Sequence, residues 1–182
     1  MAEMVGPIEL IVAAFNDEDK AGTTLKDLKA LEKEGVILLV NAAVMVKNDQ
    51  GKISIKETED VSSGKGALFG AIAGGVIGLL GGPVGVIIGA AAGAATGGVA
   101  ASKIDMGFPD DTLKELESSL TPGSSAILAL IQHQWVDAVV EELEKAGAKL
   151  FRQELQEELA AQLAEGEAEA VEKLEENTGK AE

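Results

Sequence analysis

The chain contains no cysteine and no tyrosine. Without cysteine it has no disulfide, no thiolate nucleophile and no thiolate metal site. That absence fits a reducing compartment. One Trp and four Phe are its whole aromatic complement, too little for a base-stacking surface. Basic residues are scarce as well: 15 Lys and Arg stand against 31 Asp and Glu, a net charge of −16. Phosphate neutralisation needs the opposite balance, so nucleic acid is excluded as a partner. Docking of the polar part on anionic lipid is disfavoured for the same reason. The single histidine, His133, leaves no second imidazole for a His-based metal site. The opening residues, MAEMVGPIEL, carry an acid at position 3 and no basic segment, and so do not read as a secretory signal.

What is present begins with a regular alternation of short apolar runs and amphipathic stretches. Ile8 to Phe15, bounded by Pro7 and NDEDK, reads as a buried strand. Asn16 or Asp17 is placed to cap a helix over Glu18 to Glu34, with Leu25, Leu28 and Leu31 on one face and Gly35 closing it. Val36 to Lys47 reads as a branched-residue strand, NDQGK as a hairpin turn, and Ile53 to Thr58 as a half-exposed strand. Farther on, Pro109 to Leu120 is a short acidic helix with Leu113 and Leu116 inward. TPGSS is a turn and Ala126 to Gln132 a strand. Trp135 to Ala146 is a helix with Val136, Val139, Val140 and Leu143 on one face. Gly147 closes it, and AKLFRQEL is a last strand.

The two halves share a rhythm of strand, helix closed by Glu-Lys-x-Gly, and strand. A duplicated βαβ unit predicts an α+β, ferredoxin-like antiparallel sandwich with its helices on one face. The expected organisation is residues 1–61 as the first half, 62–103 as an inserted glycine-zipper helical hairpin, 104–155 as the second half, and 156–182 as an acidic helical or disordered tail. From Gln153 to Glu182 there are ten Glu against two Lys, or −8 of the −16 total. Leu155, Leu159 and Leu163 start a helical pattern there that Gly166 interrupts.

The most informative stretch is Gly66 to Ala101, which carries no charged residue. Glycines fall at Gly66, Gly70, Gly74, Gly78 and Gly82, then at Gly81, Gly85, Gly89, Gly93 and Gly97. These are two runs of strict period four, meeting at a turn of Gly81, Gly82 and Pro83. A flexible linker needs no such period and favours serine over Val, Ile and Leu. Period four on a helix leaves a groove that lets another backbone approach closely. Glycine costs about 1 kcal/mol per helical position relative to alanine. Ten of them cost about 10 kcal/mol, a whole domain's stability, so the legs must be packed, buried in lipid, or both. The first leg, Gly64 to Leu80, is about 25 Å long and the second, Pro83 to Ser102, about 30 Å. Only the second matches a bilayer core, yet its later half, GAAAGAATGG, is weakly apolar. Lys65 and Lys103 flank the pair and put both ends on one side, the cytoplasmic side by the positive-inside rule.

Two ferredoxin-like halves interrupted by a double glycine zipper resemble a prokaryotic family of unknown function, usually described as predicted membrane proteins. The resemblance covers roughly Ile8 to Leu155. It implies no established activity, and no catalytic residue can be carried over from it.

Nothing in the sequence assembles a catalytic constellation. Ser124 and Ser125 lack a nucleophile-elbow context. Asp110 and Asp111 fit helix capping. Asp49 and Gly51 lack the remaining ligands of a calcium loop, and Ser63 to Gly66 is only a fragment of a phosphate loop. His133, in a strand-to-helix connection, and Trp135 beside it are the candidate ligand contacts. Neither catalytic nor metal residues nor a cofactor are expected. The expected function is a non-enzymatic homo-oligomer whose hairpins form a membrane-embedded or membrane-associated bundle, with a scaffold, pore-like or stress role. Its partners would be itself and membrane lipid, at the cytoplasmic membrane with the α/β part in the cytoplasm. The alternatives are a soluble cytoplasmic ring or shell with the hairpins as internal core, and a small-ligand sensor using the sheet.

Overall fold

The structure is a computed structural model and describes residues 7–58 and 109–155. The expected glycine hairpin at 62–103 and the acidic tail at 156–182 lie outside the described residues. Within them run β1 (Ile8–Phe15), α1 (Lys20–Lys33), β2 (Leu39–Lys47), β3 (Ile53–Thr58), α2 (Asp110–Ser119), β4 (Ser124–Gln132), α3 (His133–Lys145) and β5 (Lys149–Glu154). The fold class is α+β, with a five-stranded sheet in the order β3-β2-β4-β1-β5. Every adjacent pair is antiparallel. β1 and β2 therefore run parallel to each other with β4 between them, and β4 and β5 run parallel with β1 between them.

Both helices that end in Glu-Lys-x-Gly close in the same way. After α1, Gly35 N–H bonds the Glu32 carbonyl and Val36 N–H bonds that of Leu31. After α3, Gly147 and Ala148 bond Glu144 and Leu143. Gly35 and Gly147 adopt φ of +75° and +84°, the left-handed cap that the αL-type helix end requires. Because Val36 is used in this cap, β2 starts at Leu39 and not at Val36. Leu39 N–H is met by Glu32 Oε1 at 2.9 Å.

At its start α1 has no cap from its own flanking residue, Asp19. Asp17 Oδ1 instead accepts from Asp19 and Lys20 N–H at 2.8 and 3.0 Å, and buried Ser125 on β4 serves the next donor. Its Oγ accepts from Ala21 N–H at 3.1 Å and donates to the Asp17 carbonyl. Helix N-termini expose donors that need such partners. Ser125→Ala removes one acceptor and one donor from a buried position, and is expected to cost about 2 kcal/mol in urea unfolding.

Side chains alternate across the sheet. Ile11, Ala13 and Phe15 of β1, with Ala129 and Ile131 of β4, pack under Leu25 and Leu28 of α1 and Val136, Val139 and Leu143 of α3. Ile8, Leu10, Val12, Leu128 and Leu130 face the other way, into a cluster with Leu116 and Leu120. The sandwich expected from the sequence has all its helices on one face; α2 instead lies on the face opposite α1 and α3. β1 and β4 are buried along their whole length, and a sheet apolar on both sides needs a layer on each.

The hairpin between β2 and β3 is closed by Asn48, whose Oδ1 accepts from Gln50 and Lys52 N–H. This accounts for NDQGK as a turn.

Candidate functional site

The most concentrated polar chemistry among the described residues lies where β1 begins, β5 ends and α3 starts. Glu9 is the one charged residue in β1, and its side chain is only 9% exposed. Across the sheet it stands opposite Glu154, and Ile11 stands opposite Arg152. Two carboxylates facing each other repel, and Arg152, one pleat away, offsets this. Arg152 Nε donates to Glu9 Oε2 at 3.0 Å and Nη2 to Oε1 at 3.2 Å, the two-pronged geometry in which a guanidinium satisfies a buried carboxylate. His133 Nδ1 stands 3.4 Å from Glu9 Oε1. Its backbone N–H bonds the Pro7 carbonyl at 2.9 Å, tying the first residue of α3 to the chain just before β1. Arg152 is the only arginine of the chain and His133 the only histidine, and both face Glu9.

His133 is thus not in a loop, as its sequence context suggests. β4 passes into α3 with no residue between, so His133 holds the first helical position with its side chain 64% exposed. Beside it, Gln134 Nε2 donates to Gln132 Oε1 at 3.0 Å. Trp135 does not share the cluster. Its ring packs against the α1–α3 side of the core, with its buried Nε1 unpartnered. The glycines Gly66 to Gly97 and the turn at Gly81, Gly82 and Pro83 lie outside the described residues.

Sequence reasoning passed over Glu9 and Arg152. The signal was present: a lone carboxylate inside an apolar strand must find a cation when that strand is central, and only one arginine is available. Chemically the arrangement is a Glu9–Arg152 ion pair that locks β5 onto β1, beside the His133 N–H bond to the Pro7 carbonyl that ties the start of α3 to the same place. Both carboxylate oxygens accept from the Arg152 guanidinium.

A second feature is a groove of about 220 Å³ between α1 and α3, lined by Lys20, Thr24, Asp27, Leu28, Leu31, Glu142, Lys145 and Ala146. Lys145 Nζ is held at 2.8 Å by both Glu141 and Glu142. These bonds raise the Lys145 pKa, and the Lys145 hydrogen bond lowers that of Glu141 below its ordinary 4.5. The interaction is therefore complete at neutral pH and fades only in acid, as Glu141 takes up a proton. The groove's cations are matched by its own acids. No group of three or more His, Asp or Glu side chains able to hold a metal occurs among the described residues, and no described helix is long and apolar enough to cross a membrane.

A family model described as protein of unknown function (DUF1269) matches residues 67–166, more than half of the chain. The chain belongs to that family. The DUF1269 match begins inside the glycine stretch, takes in α2, β4, α3 and β5, and runs past Leu155. It omits β1, α1, β2 and β3, so its span is shifted from the Ile8 to Leu155 expected from the sequence resemblance. Of the polar cluster it includes His133 and Arg152 but not Glu9. No curated protein and no solved structure matches the chain.

Proposed function

We propose that this member of the DUF1269 family is a non-enzymatic, self-associating protein, in which glycine-lined legs from several copies pack into one bundle. The α/β part is read as a ferredoxin-like domain made from a duplicated βαβ unit. The interleaved order β2-β4-β1-β5 supports this, as do the identical helix closures at Gly35 and Gly147 and the common face of α1 and α3. β3 is an added edge strand, and the glycine hairpin is the insertion that follows it.

One observation carries the functional reading. Thr58 at the end of β3 and Asp110 at the start of α2 belong to the same α/β unit, so the segment that contains Gly66 to Ala101 leaves and returns to one domain. An uncharged segment with both ends held there, and with ten glycines at period four, is suited to close packing against its counterparts. Lys65 and Lys103 favour a membrane-associated bundle at the cytoplasmic membrane, with the α/β domain on the cytoplasmic side. The second reading, a soluble ring or shell with the stretch as internal core, is favoured by the weakly apolar run GAAAGAATGG in the second half of the stretch. Detergent-free cell fractionation followed by mass measurement tests both. The expected result is a multimer in the membrane fraction. A large soluble particle would transfer support to the second reading, and a monomer in every fraction would end the self-association proposal.

A further inference from the structure

β5 is an edge strand whose outer backbone groups are unpaired among the described residues. It stands last in the order β3-β2-β4-β1-β5 and pairs with β1 in one unbroken register, from Ala14↔Lys149 to Glu9↔Glu154. Leu155 N–H continues the ladder to the Ile8 carbonyl at 2.8 Å. In an antiparallel pair, only alternate residues bond the neighbouring strand. The Leu155 bond therefore assigns the backbone of Lys149, Phe151, Gln153 and Leu155 to β1. It turns the N–H and carbonyl of Leu150, Arg152 and Glu154 to the open edge. One of these carbonyls, that of Glu154, is met by a side chain: Gln153 Nε2 donates to it at 3.1 Å. Open edges are templates for a further strand unless proline, a bulge or charge blunts them. β5 has neither proline nor bulge, and its charges are of both signs.

The side chains along that edge are incompletely paired as well. Arg152 and Glu154 lie on the same face as Glu9. Glu154 stands opposite Glu9, is exposed, and makes no ion pair among the described residues. Arg152 gives its Nε and Nη2 to Glu9, which leaves Nη1 without a hydrogen-bond partner among the described residues. Two neighbouring edge positions thus carry a carboxylate that lacks a cation and a guanidinium with donors to spare.

We propose that β5 pairs with β5 of a second copy about a twofold axis at Gln153, joining two sheets into one. Opposed residues in an antiparallel pair must both turn their backbone groups to the new neighbour or both away from it. The axis therefore passes through a residue and never between two. At Arg152 it sets two guanidinium groups against each other, and at Glu154 two carboxylates, which repel. At Leu150 or Phe151 it leaves Arg152 opposite Ala148 or Leu150. At Gln153, Arg152 of each copy stands opposite Glu154 of the other, and Phe151 stands opposite Leu155. Charges that deter an arbitrary strand are thus matched by a second copy in this register. Each Arg152 lies between Glu9 of its own chain and Glu154 of its neighbour. The helices leave room for the pairing. α2 packs on both β1 and β5, and with strands about 4.8 Å apart the two copies of α2 lie about 10 Å from each other, an ordinary packing distance. The pairing uses the sheet edge and not the glycine stretch, so it holds or fails independently of the bundle.

The absence of cysteine makes the test clean. Gln153→Cys in the full chain puts a thiol on the axis, where opposed Cα atoms are about 4.5 Å apart, within reach of a disulfide. Lys149→Cys, on the same face of the strand, is the control: in this register its two copies are separated by about 27 Å along the ladder. Under mild oxidation Gln153→Cys is expected to give a dimer-sized band on non-reducing electrophoresis, with position 153 linked to itself by mass spectrometry. Lys149→Cys is expected to stay reduced. Glu154→Lys, added to Gln153→Cys, sets like charges opposite each other on both sides of the axis, and is expected to slow the disulfide about tenfold or more. Glu154 also opposes Glu9 in its own chain, so the same substitution is expected to leave the urea midpoint unchanged or to raise it. That separates lost pairing from lost folding. Glu154→Gln, which removes the charge without reversing it, is expected to slow the disulfide less. No bond from Gln153→Cys in a folded chain would overturn the inference. So would equal bonding at both positions, or a rate that Glu154→Lys leaves unchanged. A multimer by mass that forms no such bond would retain the glycine bundle and remove this pairing.

Discussion

If the proposed self-association holds, leucine at Gly74 or Gly89 is expected to break it while leaving the α/β domain folded. Each substitution places a four-carbon side chain where the period-four pattern leaves only backbone, and overpacking of a close contact costs about 1–3 kcal/mol per site. In a bundle of several copies that cost is repeated in every copy, so a single substitution in the sequence accumulates to a free energy comparable with that of association. Both positions lie in the uncharged stretch, separate from the two described core clusters. Far-ultraviolet circular dichroism should therefore be preserved while sedimentation mass falls to that of a smaller species. Alanine at the same sites adds one methyl group and should have a smaller effect. An undiminished multimer with both leucines in place would refute close packing at these glycines.

The second large effect is expected at Arg152. Replacing it by alanine leaves the Glu9 carboxylate, 9% exposed, with only the exposed His133 nearby. Removing one partner of a buried pair costs about 3–5 kcal/mol when both ions are fully enclosed. Arg152 is 41% exposed, and water entering beside the shortened side chain relieves part of the penalty, so about 2 kcal/mol is expected. Urea unfolding measures it. The double variant Glu9→Gln, Arg152→Ala should cost less than the sum of its singles, because the amide carries no charge that needs a counter-ion. A coupling of about 1 kcal/mol or more is expected. Lys145→Ala provides the contrast: that side chain and Glu141 are both solvent-exposed, and no measurable loss is expected. Additive effects at Glu9 and Arg152 would show that the pair is incidental.

The elements themselves were legible because their signals are local. The apolar run of β1, the Leu25 and Leu28 spacing of α1 and the Glu-Lys-x-Gly closures each determine structure through residues within a few positions of one another. Boundaries moved where a distant group intervened. β2 starts late because Val36 closes α1 and Glu32 reaches Leu39. α3 starts early because the Pro7 carbonyl receives the His133 N–H. The helix-capping role of Ser125 was not legible at all, since its partners are more than a hundred residues away in sequence. The Glu9 cluster was hidden for the same reason: β1, β5 and α3 meet only through strand pairing, and no spacing rule connects Glu9 with Arg152.

By itself, the sequence determined the class of the protein: α+β, acidic, without thiol chemistry, and interrupted by an uncharged stretch with a four-residue glycine period. These follow from composition and short-range periodicity, which act before any distant contact forms. Tertiary structure alone decided which strand stands next to which, that α2 lies opposite α1 and α3, and that the only arginine and the only histidine converge on one buried carboxylate. Those outcomes depend on long-range pairing in the sheet. There, burial of both faces and the demand of an enclosed charge for a partner select one arrangement from many that the local pattern allows.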